Sequence, residues 1–334
     1  MDLWGHEDHS LSYAEQLIAS RPSQYRAKAP MIAKLNDDVV GVAKVVLPLG
    51  DNEHVAYVHI LIQPEHRRRG IGRQLYESVE SHLRELGRVT VMGTTEHRAD
   101  QIGPGAANIT AVTGVGEVPS SSASVGFARS LGHSLEQVER FSILNLDHRA
   151  DADAMLERAR AVAGHEYDLV YWEDRCPESL VNNYACLRQW MSVDVPAGSL
   201  EIQEEVWDTA RVRHAEEEAV KREIRSLVAA ARHRSTGQLV GHTILEYAGQ
   251  KPEVLYQEDT LVLTAFRGHR LGMALKAANI LRIQAQWPLA RRIYTWNAAE
   301  NVHMLRINET LGFVPAGCTG MWQKAGFGAQ GAVE

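Results

Sequence analysis

The chain has 334 residues, of which 45% are hydrophobic and 23% charged, and its formal net charge is −7. This composition is typical of a globular protein, and the length fits two domains of roughly 150 residues each. The negative charge argues against a nucleic-acid-binding protein, because such proteins present a basic face. Apolar stretches end well short of the ~20 residues of a membrane helix, and the polar N-terminus lacks a signal peptide, so we expect a cytoplasmic protein without a membrane partner.

The 3 cysteines are scattered, and the 15 histidines show no His-Glu-x-x-His spacing. This usage predicts neither a disulfide framework nor a metal site.

Strand and helix signals alternate along the first half of the chain. In chain order the predicted elements are strands at 31–35, 39–47 and 55–62, a loop at 64–69, a helix at 71–86, a strand at 89–92, a helix at 125–131 and a strand at 138–146. The first two strands flank a turn cluster and predict a hairpin. A partly helical link at 151–164 then separates an N-terminal domain at 1–150 from a C-terminal domain at 165–334.

The second half repeats this order after additional material. Its predicted elements are a strand at 167–172, helices at 178–191 and 203–223, hairpin strands at 226–231 and 239–247, a strand at 260–263, a helix at 271–286 and a strand at 292–296. The hairpin, the loop and the long helix thus occur in both halves.

The two halves are related by a constant offset. Val40-Gly41 corresponds to Val240-Gly241, and residues 67–72 (RRRGIG) correspond to residues 267–272 (RGHRLG), with an offset of 200 in both cases (241 − 41 and 272 − 72). One fixed spacing between two similar patterns is typical of two copies of one domain joined end to end.

A basic loop that contains glycine precedes the long helix in each copy. The first-turn N–H groups of a helix lack intrahelical partners and combine with the helix dipole into an anion site. Gly70 and Gly72 have no side chain that would block a phosphate approaching the backbone. Two such loops in matching contexts predict that the chain binds phosphate groups.

Residues 67–72 resemble the Arg/Gln-x-x-Gly-x-Gly/Ala signature of the GNAT acetyltransferase superfamily. The second loop fits the signature except that Arg270 stands where the middle glycine belongs, with Gly268 two residues earlier. Residues 301–313 resemble the family's segment Asn-x-x-Ala-x-x-Leu-Tyr-Glu-Lys-Leu-Gly-Phe in the first asparagine and in the final Leu-Gly-Phe. The resemblance covers nearly the whole chain and is that of a tandem GNAT protein.

The resemblance implies an α/β fold with a mixed sheet in each of two GNAT-like domains, acetyl-CoA as cofactor, and direct transfer of the acetyl group to an amine. It also implies a thioester bound between two splayed strands, with a strand amide near Leu263 donating to the thioester oxygen. The second-copy candidates for binding coenzyme A are Leu263, Arg267, Gly268, His269, Arg270, Leu271, Gly272, Met273 and Asn301. The first-copy candidates are Ile62, Arg67, Arg68, Arg69, Gly70, Ile71 and Gly72.

The catalytic candidates are Glu258, Asp259 and Asn308. An amine must lose a proton before it attacks, so a carboxylate beside the splayed strand would serve as general base. Only one of Glu258 and Asp259 can face the cleft if side chains alternate along the strand, and a solvated acidic strand end is the other interpretation of this pair. Where the family often has a tyrosine that protonates the leaving thiolate, this chain has Asn308, and the first copy has Ala128.

The second copy is predicted to be the catalytic one. About 60 residues precede its hairpin, against about 30 in the first copy, and a binding pocket needs walls. Trp190, Met191, Trp207 and Tyr247 are the candidate contacts for the acceptor, although burial in the core is the commoner fate of such side chains. The first copy would bind coenzyme A structurally or serve as a scaffold.

The acceptor is predicted to be the amine of a small molecule or peptide, handled by a monomer or homodimer. Two other functions stay open. A noncatalytic protein that binds acyl-CoA or sequesters a ligand would explain the missing tyrosine in both copies. An aminoacyl or longer-acyl transferase is the third possibility, and the anionic chain counts against large tRNA-type donors.

Overall fold

The structure, a computed structural model, describes residues 3–103, 107–148 and 151–327. The chain forms two compact units, each assembled from segments that are distant in sequence. The first-copy unit contains Ala19–Glu139, Ala197–Gln203 and the residues from Cys318 onward. The second-copy unit contains the residues up to Ile18, Arg140–Pro196 and Glu204–Gly317. None of the described helices has the length and apolar character needed to cross a membrane.

The strands are β1 (Arg26–Lys28), β2 (Met31–Leu35), β3 (Asp38–Pro48), β4 (Val55–Ile62), β5 (Thr90–Arg98), β6 (Asn108–Thr110), β7 (Glu117–Pro119), β8 (Ser134–Asn145), β9 (Tyr167–Glu173), β10 (Ile224–His233), β11 (Leu239–Ala248), β12 (Val254–Val262), β13 (Arg292–Ala298) and β14 (Val314–Ala325). The helices are α1 (Tyr13–Ala19), α2 (Ile71–Glu85), α3 (Ala123–Ser130), α4 (Ala152–Ala163), α5 (Val181–Asp194), α6 (Thr209–Lys221), α7 (Leu271–Gln286) and α8 (Val302–Leu311).

The first-copy unit is built on the strand order β1-β3-β4-β5-β14, and β2 pairs with β3. Helix α2 packs on this sheet because Leu75, Val79 and Leu83 recur at helical spacing on one face and are buried. Cys318 and Trp322 of β14 belong to a core cluster that also contains Val118, Leu135 and Val138. The last described strand is therefore needed by the unit that contains the first copy of the loop.

The second-copy unit has the strand order β8-β13-β12-β11-β10-β9. Helix α7 is apolar over most of its surface and packs between α4 and the sheet, where Ala274, Ala277 and Ala278 permit close approach. Helices α5 and α6 contribute to a separate core cluster with Val228, Ile244 and Leu261. The sheet is thus covered by α7 on one face and by α5 and α6 on the other.

Both units contain a pair of parallel strands whose pairing is short. In the described ladders, β4 and β5 pair from Val55–Thr90 to Tyr57–Met92, and β12 and β13 pair from Val254–Arg292 to Tyr256–Tyr294. Beyond these residues, both strands of each parallel pair continue but no longer pair with each other. This divergence, here called the fork, is the splayed arrangement that the family resemblance implies.

The predicted fold class, a mixed α/β sheet in two similar domains, is confirmed. The helix at 271–286 has the predicted bounds, and the link contains α4. The strand predicted at 260–263 is part of a longer strand that starts at Val254. The prediction was too short because Gln257, Glu258 and Asp259 interrupt the apolar pattern of this strand. The domain boundaries 1–150 and 165–334 follow the two sequence copies and stay a prediction. The compact units differ from them, because each unit is assembled from several segments. Residues 149–150 and 328–334 lie outside the described residues.

Candidate active site

The fork of the second-copy unit carries a β-bulge that the first-copy unit lacks. Strand β11 pairs Thr243 with Thr260 and Leu245 with Gln257, so Glu258 and Asp259 together face the single residue Ile244. In the first copy, β3 and β4 pair without a register shift from Gly41–Ile62 to Val46–Tyr57. Because a bulge interrupts the alternation of side chains and re-aims them, the two copies present different groups at their forks.

Glu258 is the group at this fork whose acidity is most altered in the direction useful for catalysis. Glu258 keeps an exposed surface, but the protein packed around its carboxyl group removes much of the water that would stabilise the charge. This desolvation, followed by the nearby acidic groups Glu246 and Asp259, raises its pKa to about 7. Arg188 opposes the shift without cancelling it. A carboxyl group with this pKa is partly ionised at neutral pH and can accept a proton.

Asp259 plays a different part, because it forms an ion pair with Arg188 at 3.5 Å. The charge of Arg188 interacts with Glu258 as well. Strict alternation of side chains does not hold across the bulge, so the expectation that only one of the two acidic groups faces the cleft loses its premise and stays a prediction.

Arg188 organises the face of the sheet on which α5 lies. Its guanidinium stacks over the ring of Trp207 at 4.5 Å, and burial of Arg188 is outweighed by Asp259 and Tyr184, so its pKa is raised. Burial raises the pKa of Glu246, although Arg188 opposes this. Arg188 and Glu246 were missed in the sequence, because their approach to β12 follows from helix packing and strand register.

The candidate acceptor contacts separate into different places. Trp207 lies beside the acidic cluster, which consists of Glu246, Glu258 and Asp259 around Arg188. Its ring is held between the guanidinium groups of Arg188 and Arg211, and that of Arg211 is 4.7 Å from the ring. Trp190 is 50% exposed on α5, and Met191 packs at the edge of the α5 cluster. Tyr247 lies apart from them: its ring packs edge-on against Trp287 at 4.8 Å, beside the core around α7. Of the three predicted aromatics, the structure brings only Trp207 to Arg188.

A pocket of about 760 Å³ lies beside the fork, between the end of β12, the basic loop and the first turns of α7 and α8. Seven of the second-copy candidates line it: Arg267, Gly268, Arg270, Leu271, Gly272, Met273 and Asn301. His269 points elsewhere and packs against Tyr167, with ring centroids 5.4 Å apart. The pocket also reaches Asp194, which accepts hydrogen bonds from Thr264 and was missed in the sequence.

The basic loops of the two copies have the same backbone geometry. Arg67 Nε donates to the carbonyl of Ile62 at 3.0 Å, and Arg267 Nε donates to the carbonyl of Val262 at the same distance. Each loop has two residues with positive φ, and they are Arg68 (61°) and Gly70 (83°) in the first copy. The first-copy candidates Arg69, Ile71 and Gly72 complete the loop and open α2.

In the second copy the positive φ values belong to Gly268 (90°) and Arg270 (54°). Glycine and arginine have thus exchanged places between the copies. Arg270 adopts the left-handed conformation of the missing glycine, and α7 begins after it with no side-chain cap, so its first-turn N–H groups are available to an anion.

The expected role of the Leu263 amide has to be corrected. This N–H donates to the carbonyl of Val240 at 2.9 Å within the β11–β12 ladder. Because N–H groups of an antiparallel strand alternate between its two edges, the amides of Val262 and Thr260 point to the opposite edge, which β13 has left. These two amides are the strand donors that can face a ligand in the pocket.

Asn308 is completely buried and belongs to a polar network. Its Oδ1 accepts a hydrogen bond from Lys276 Nζ at 2.7 Å, and its Nδ2 donates to Oδ1 of Asn297 at 2.6 Å. Lys276 was not recognised in the sequence, where it looks like a solvated position of a helix. Among the described residues, no group of three His, Cys, Asp or Glu side chains could hold a metal ion.

The first copy differs from the second at the position of Glu258 and Asp259. Val254 corresponds to Val55 before the bulge (254 − 55 = 199) and Val262 corresponds to Ile62 after it (262 − 62 = 200), so His59 corresponds to the bulged pair Glu258 and Asp259. Burial, followed by the charge of Lys44, lowers the pKa of His59. The first copy therefore combines the loop with a different titratable group, and its β3–β4 ladder has no register shift.

Comparison with known proteins finds similarity to one family model and to solved structures, among them a tandem protein. Residues 2–103 match the model of the family described as "Acetyltransferase (GNAT) family". The chain is 26% identical to a solved tandem GNAT protein from the clavulanic acid biosynthesis pathway, with a TM-score of 0.72 and coverage of 97% of this chain and 90% of the other. No curated protein matches the sequence.

Two further solved structures share the fold at low identity. A GCN5-related N-acetyltransferase from Sphaerobacter thermophilus is 12% identical over 87% of this chain and 78% of its own, with a TM-score of 0.54. A glucosamine N-acetyltransferase region in a fungal multi-domain GH3 beta-N-acetylglucosaminidase is 12% identical over 94% of this chain and 35% of that one, with a TM-score of 0.61.

Proposed function

We propose, from the premise that this chain is a tandem GNAT protein, that it transfers an acetyl group from acetyl-CoA to an amine and that the second copy carries the reaction. The observation that carries the proposal is the bulge at Glu258 and Asp259, which puts a carboxyl group with a pKa of about 7 at the fork beside the pocket. The first copy has the same loop without this bulge.

The residues around the pocket fit the acyl donor. The mouth of α7 offers unpaired N–H groups to a diphosphate, with Arg267 and Arg270 contributing positive charge. A Cβ atom at Gly272 would lie 3.3 Å from Cδ1 of the pocket residue Ile307, so a larger side chain there would take up space in the pocket. The amides of Val262 and Thr260 would bind the donor's extended arm along the free edge of β12. Acetyl-CoA, when bound, supplies the activated acetyl thioester.

The acidic cluster selects and activates the acceptor. Glu246, Glu258 and Asp259 would attract a protonated amine, and Glu258 would take its proton before attack. Placement of the amine and thioester in one cleft can lower the barrier by ~7–11 kcal/mol, so geometry could carry most of the rate. The tandem relative's place in the biosynthesis of a small molecule supports a small-molecule amine as the acceptor.

A noncatalytic acyl-CoA-binding protein is the second candidate function. It is favoured by the absence of a tyrosine at Asn308 and at Ala128, because a carboxamide or a methyl group does not protonate a thiolate. The two candidates differ in turnover and not in binding.

A release assay for the free thiol of coenzyme A against a panel of amines tests the proposal. Gly272→Val and Gly72→Val form a matched pair, because each adds bulk to the first turn after one of the two loops. We expect Gly272→Val to abolish release and Gly72→Val to retain it. The opposite result would assign the reaction to the first copy, and tight binding of acetyl-CoA without release for any amine would favour the binding protein.

A further inference from the structure

Trp296 of β13 lies across the fork from Glu258 of β12. The last parallel pair of the two strands is Tyr256–Tyr294, and Glu258 and Trp296 each follow two residues later, where the strands have parted. The Trp296 ring stacks with the Tyr256 ring, with centroids 6.3 Å and planes 13° apart. Burial, followed by the charges of Asp8 and Glu258, raises the pKa of Tyr256 to about 12. Trp296 and Glu258 are therefore both neighbours of Tyr256 on one face of the sheet.

A cluster of aromatic side chains holds the Trp296 ring in place. The ring stacks on Phe141 of β8, which is fully buried, with centroids 4.7 Å apart. His9 of the N-terminal segment lies 5.8 Å from the Trp296 ring, and its Nδ1 is 3.3 Å from the hydroxyl of Tyr256. Trp296 itself is half-buried and keeps exposed surface. A ring that its neighbours already fix can bind a ligand with little further loss of side-chain entropy.

The gap between Glu258 and Trp296 adjoins the proposed donor site. The pocket begins on β12 at Thr260, two residues after Glu258. This step is roughly 7 Å along a strand, so an amine between Glu258 and Trp296 would lie beside the end of the donor site. In the first copy, the residues two positions after the last parallel pair are His59 and Thr94. An aromatic side chain at the fork is thus a property of the second copy.

The charges around this gap disfavour an acceptor that carries a carboxylate. When Glu258 is ionised, the three carboxylates of the acidic cluster outnumber the two arginines whose charges reach it, Arg188 and Arg222. Arg188 is also engaged in its ion pair with Asp259. A carboxylate on the acceptor would be repelled here, whereas an ammonium group is attracted.

We infer that Trp296 determines the specificity for the acceptor, and that this acceptor is a primary amine with a flat apolar group and no carboxylate. The inference rests on the proposed function. The flat group would stack on the exposed part of the Trp296 ring while the amine points to Glu258. Trp296 takes no part in the bond changes of the transfer. It fixes the position of the amine that Glu258 deprotonates.

Three amines that differ in one group each test the inference. Phenethylamine is compared with ethylamine, which lacks the ring, and with phenylalanine, which adds a carboxylate, by kcat/KM in the assay for release of coenzyme A. We expect wild type to prefer phenethylamine over ethylamine by about 30-fold, because a phenyl ring is removed from water and stacks on an aromatic ring. It should prefer phenethylamine over phenylalanine by about tenfold, because the added carboxylate is repelled.

Variants at Trp296 separate stacking from other effects. Trp296→Leu keeps an apolar side chain without a flat ring, and it should lower the preference for phenethylamine over ethylamine about tenfold. Trp296→Phe restores a flat ring and should retain most of the preference. Tyr13→Leu, at a tyrosine of α1 that is 83% exposed, is the matched control and should keep the wild-type preference. Thermal melting checks that each variant is folded.

The outcomes distinguish this inference from the proposed function. Equal kcat/KM values for phenethylamine and ethylamine in wild type overturn the inference and leave the proposed function intact, and this comparison does not depend on the folding of a variant. An unchanged preference in Trp296→Leu, or equal losses for both amines, also overturns it, because the ring would then not act on the flat group of the acceptor. Absence of coenzyme A release with every amine overturns both.

Discussion

At the scale of single residues, the proposed reaction depends on Glu258. We expect Glu258→Gln to reduce the release of coenzyme A by about 10²–10⁴-fold, because an amide cannot accept the proton of the amine. In wild type the rate should rise as pH increases through about 7, where Glu258 ionises. Steady-state rates between pH 5 and 9 measure both effects.

Asp259→Asn provides the matched control for this experiment. Because Asp259 forms an ion pair with Arg188, Asp259→Asn should still show a rate that rises with pH. The rise should occur at lower pH, because the variant lacks one of the negative charges that raise the pKa of Glu258. A Glu258→Gln variant with the wild-type pH profile would show that another group is the base.

The same group predicts how stability depends on pH. Folding raises the pKa of Glu258 from 4.5 to about 7, so ionisation disfavours the native state as pH rises through this range. Glu258→Gln should therefore raise the melting temperature more at pH 8 than at pH 4. An increase of equal size at both pH values would indicate that the carboxylate is not the cause.

At the scale of elements, each basic loop holds one arginine in the left-handed region: Arg68 in the first loop and Arg270 in the second. Arg270→Gly should stabilise the protein by about 0.5–1 kcal/mol, because a non-glycine residue in the left-handed region is strained and this gain exceeds the added entropy of the unfolded chain. Gly268→Ala should destabilise it by about 1–2 kcal/mol, since φ there is 90°. Urea unfolding measures both; destabilisation by Arg270→Gly would mean that its side chain contributes more than the strain costs.

The N-terminal segment is anchored to the second-copy unit by Asp8. This carboxylate accepts hydrogen bonds from Arg292 and Tyr294, and Lys251 donates to nearby backbone carbonyls. Burial opposes its ionisation, but the hydrogen bonds and the charge of Arg292 lower its pKa from 3.8 to about 2. Its stabilising effect is therefore complete above pH 4 and is lost as pH falls through about 2.

Asp8→Asn should consequently lower the free energy of unfolding by about 1–2 kcal/mol at pH 7, and much less near pH 2. Denaturant titrations at the two pH values provide the measurement. Glu7→Gln, at an exposed neighbour, should have little effect at either. Equal losses at both pH values in Asp8→Asn would contradict an ionic origin.

At the scale of the whole molecule, each compact unit includes chain segments from outside its own sequence copy. The core of the second-copy unit contains Leu144 and Leu156, and the core of the first-copy unit contains Trp322. We expect the separate fragments 1–150 and 165–334 to lack cooperative thermal unfolding, because each would leave an apolar core incomplete. Circular dichroism on heating measures this.

Mixing the fragments 1–164 and 165–334 is the positive control, since together they contain all segments of both units. A cooperative transition in fragment 165–334 alone would show that the second copy is self-sufficient.

The sequence by itself determined the features that depend on local pattern. The constant offset of 200, the helix at 271–286 and the basic loop before the long helix of each copy follow from residue spacing. Glu258 was recognised because it enters a strand beside such a loop. Glu258, the second loop and the helix that follows it lie within about 30 residues of one another, a range over which periodicity is informative.

The tertiary structure alone decided the features that depend on register and on distant segments. The bulge at Glu258 requires knowledge of which residues β11 and β12 pair, and it replaced the expected alternation at Asp259. The interleaving of the units and the burial of Lys276 beside Asn308 join residues between 32 and several hundred positions apart. Local propensity carries no information about such pairs, because their energy arises only when packing removes them together from water.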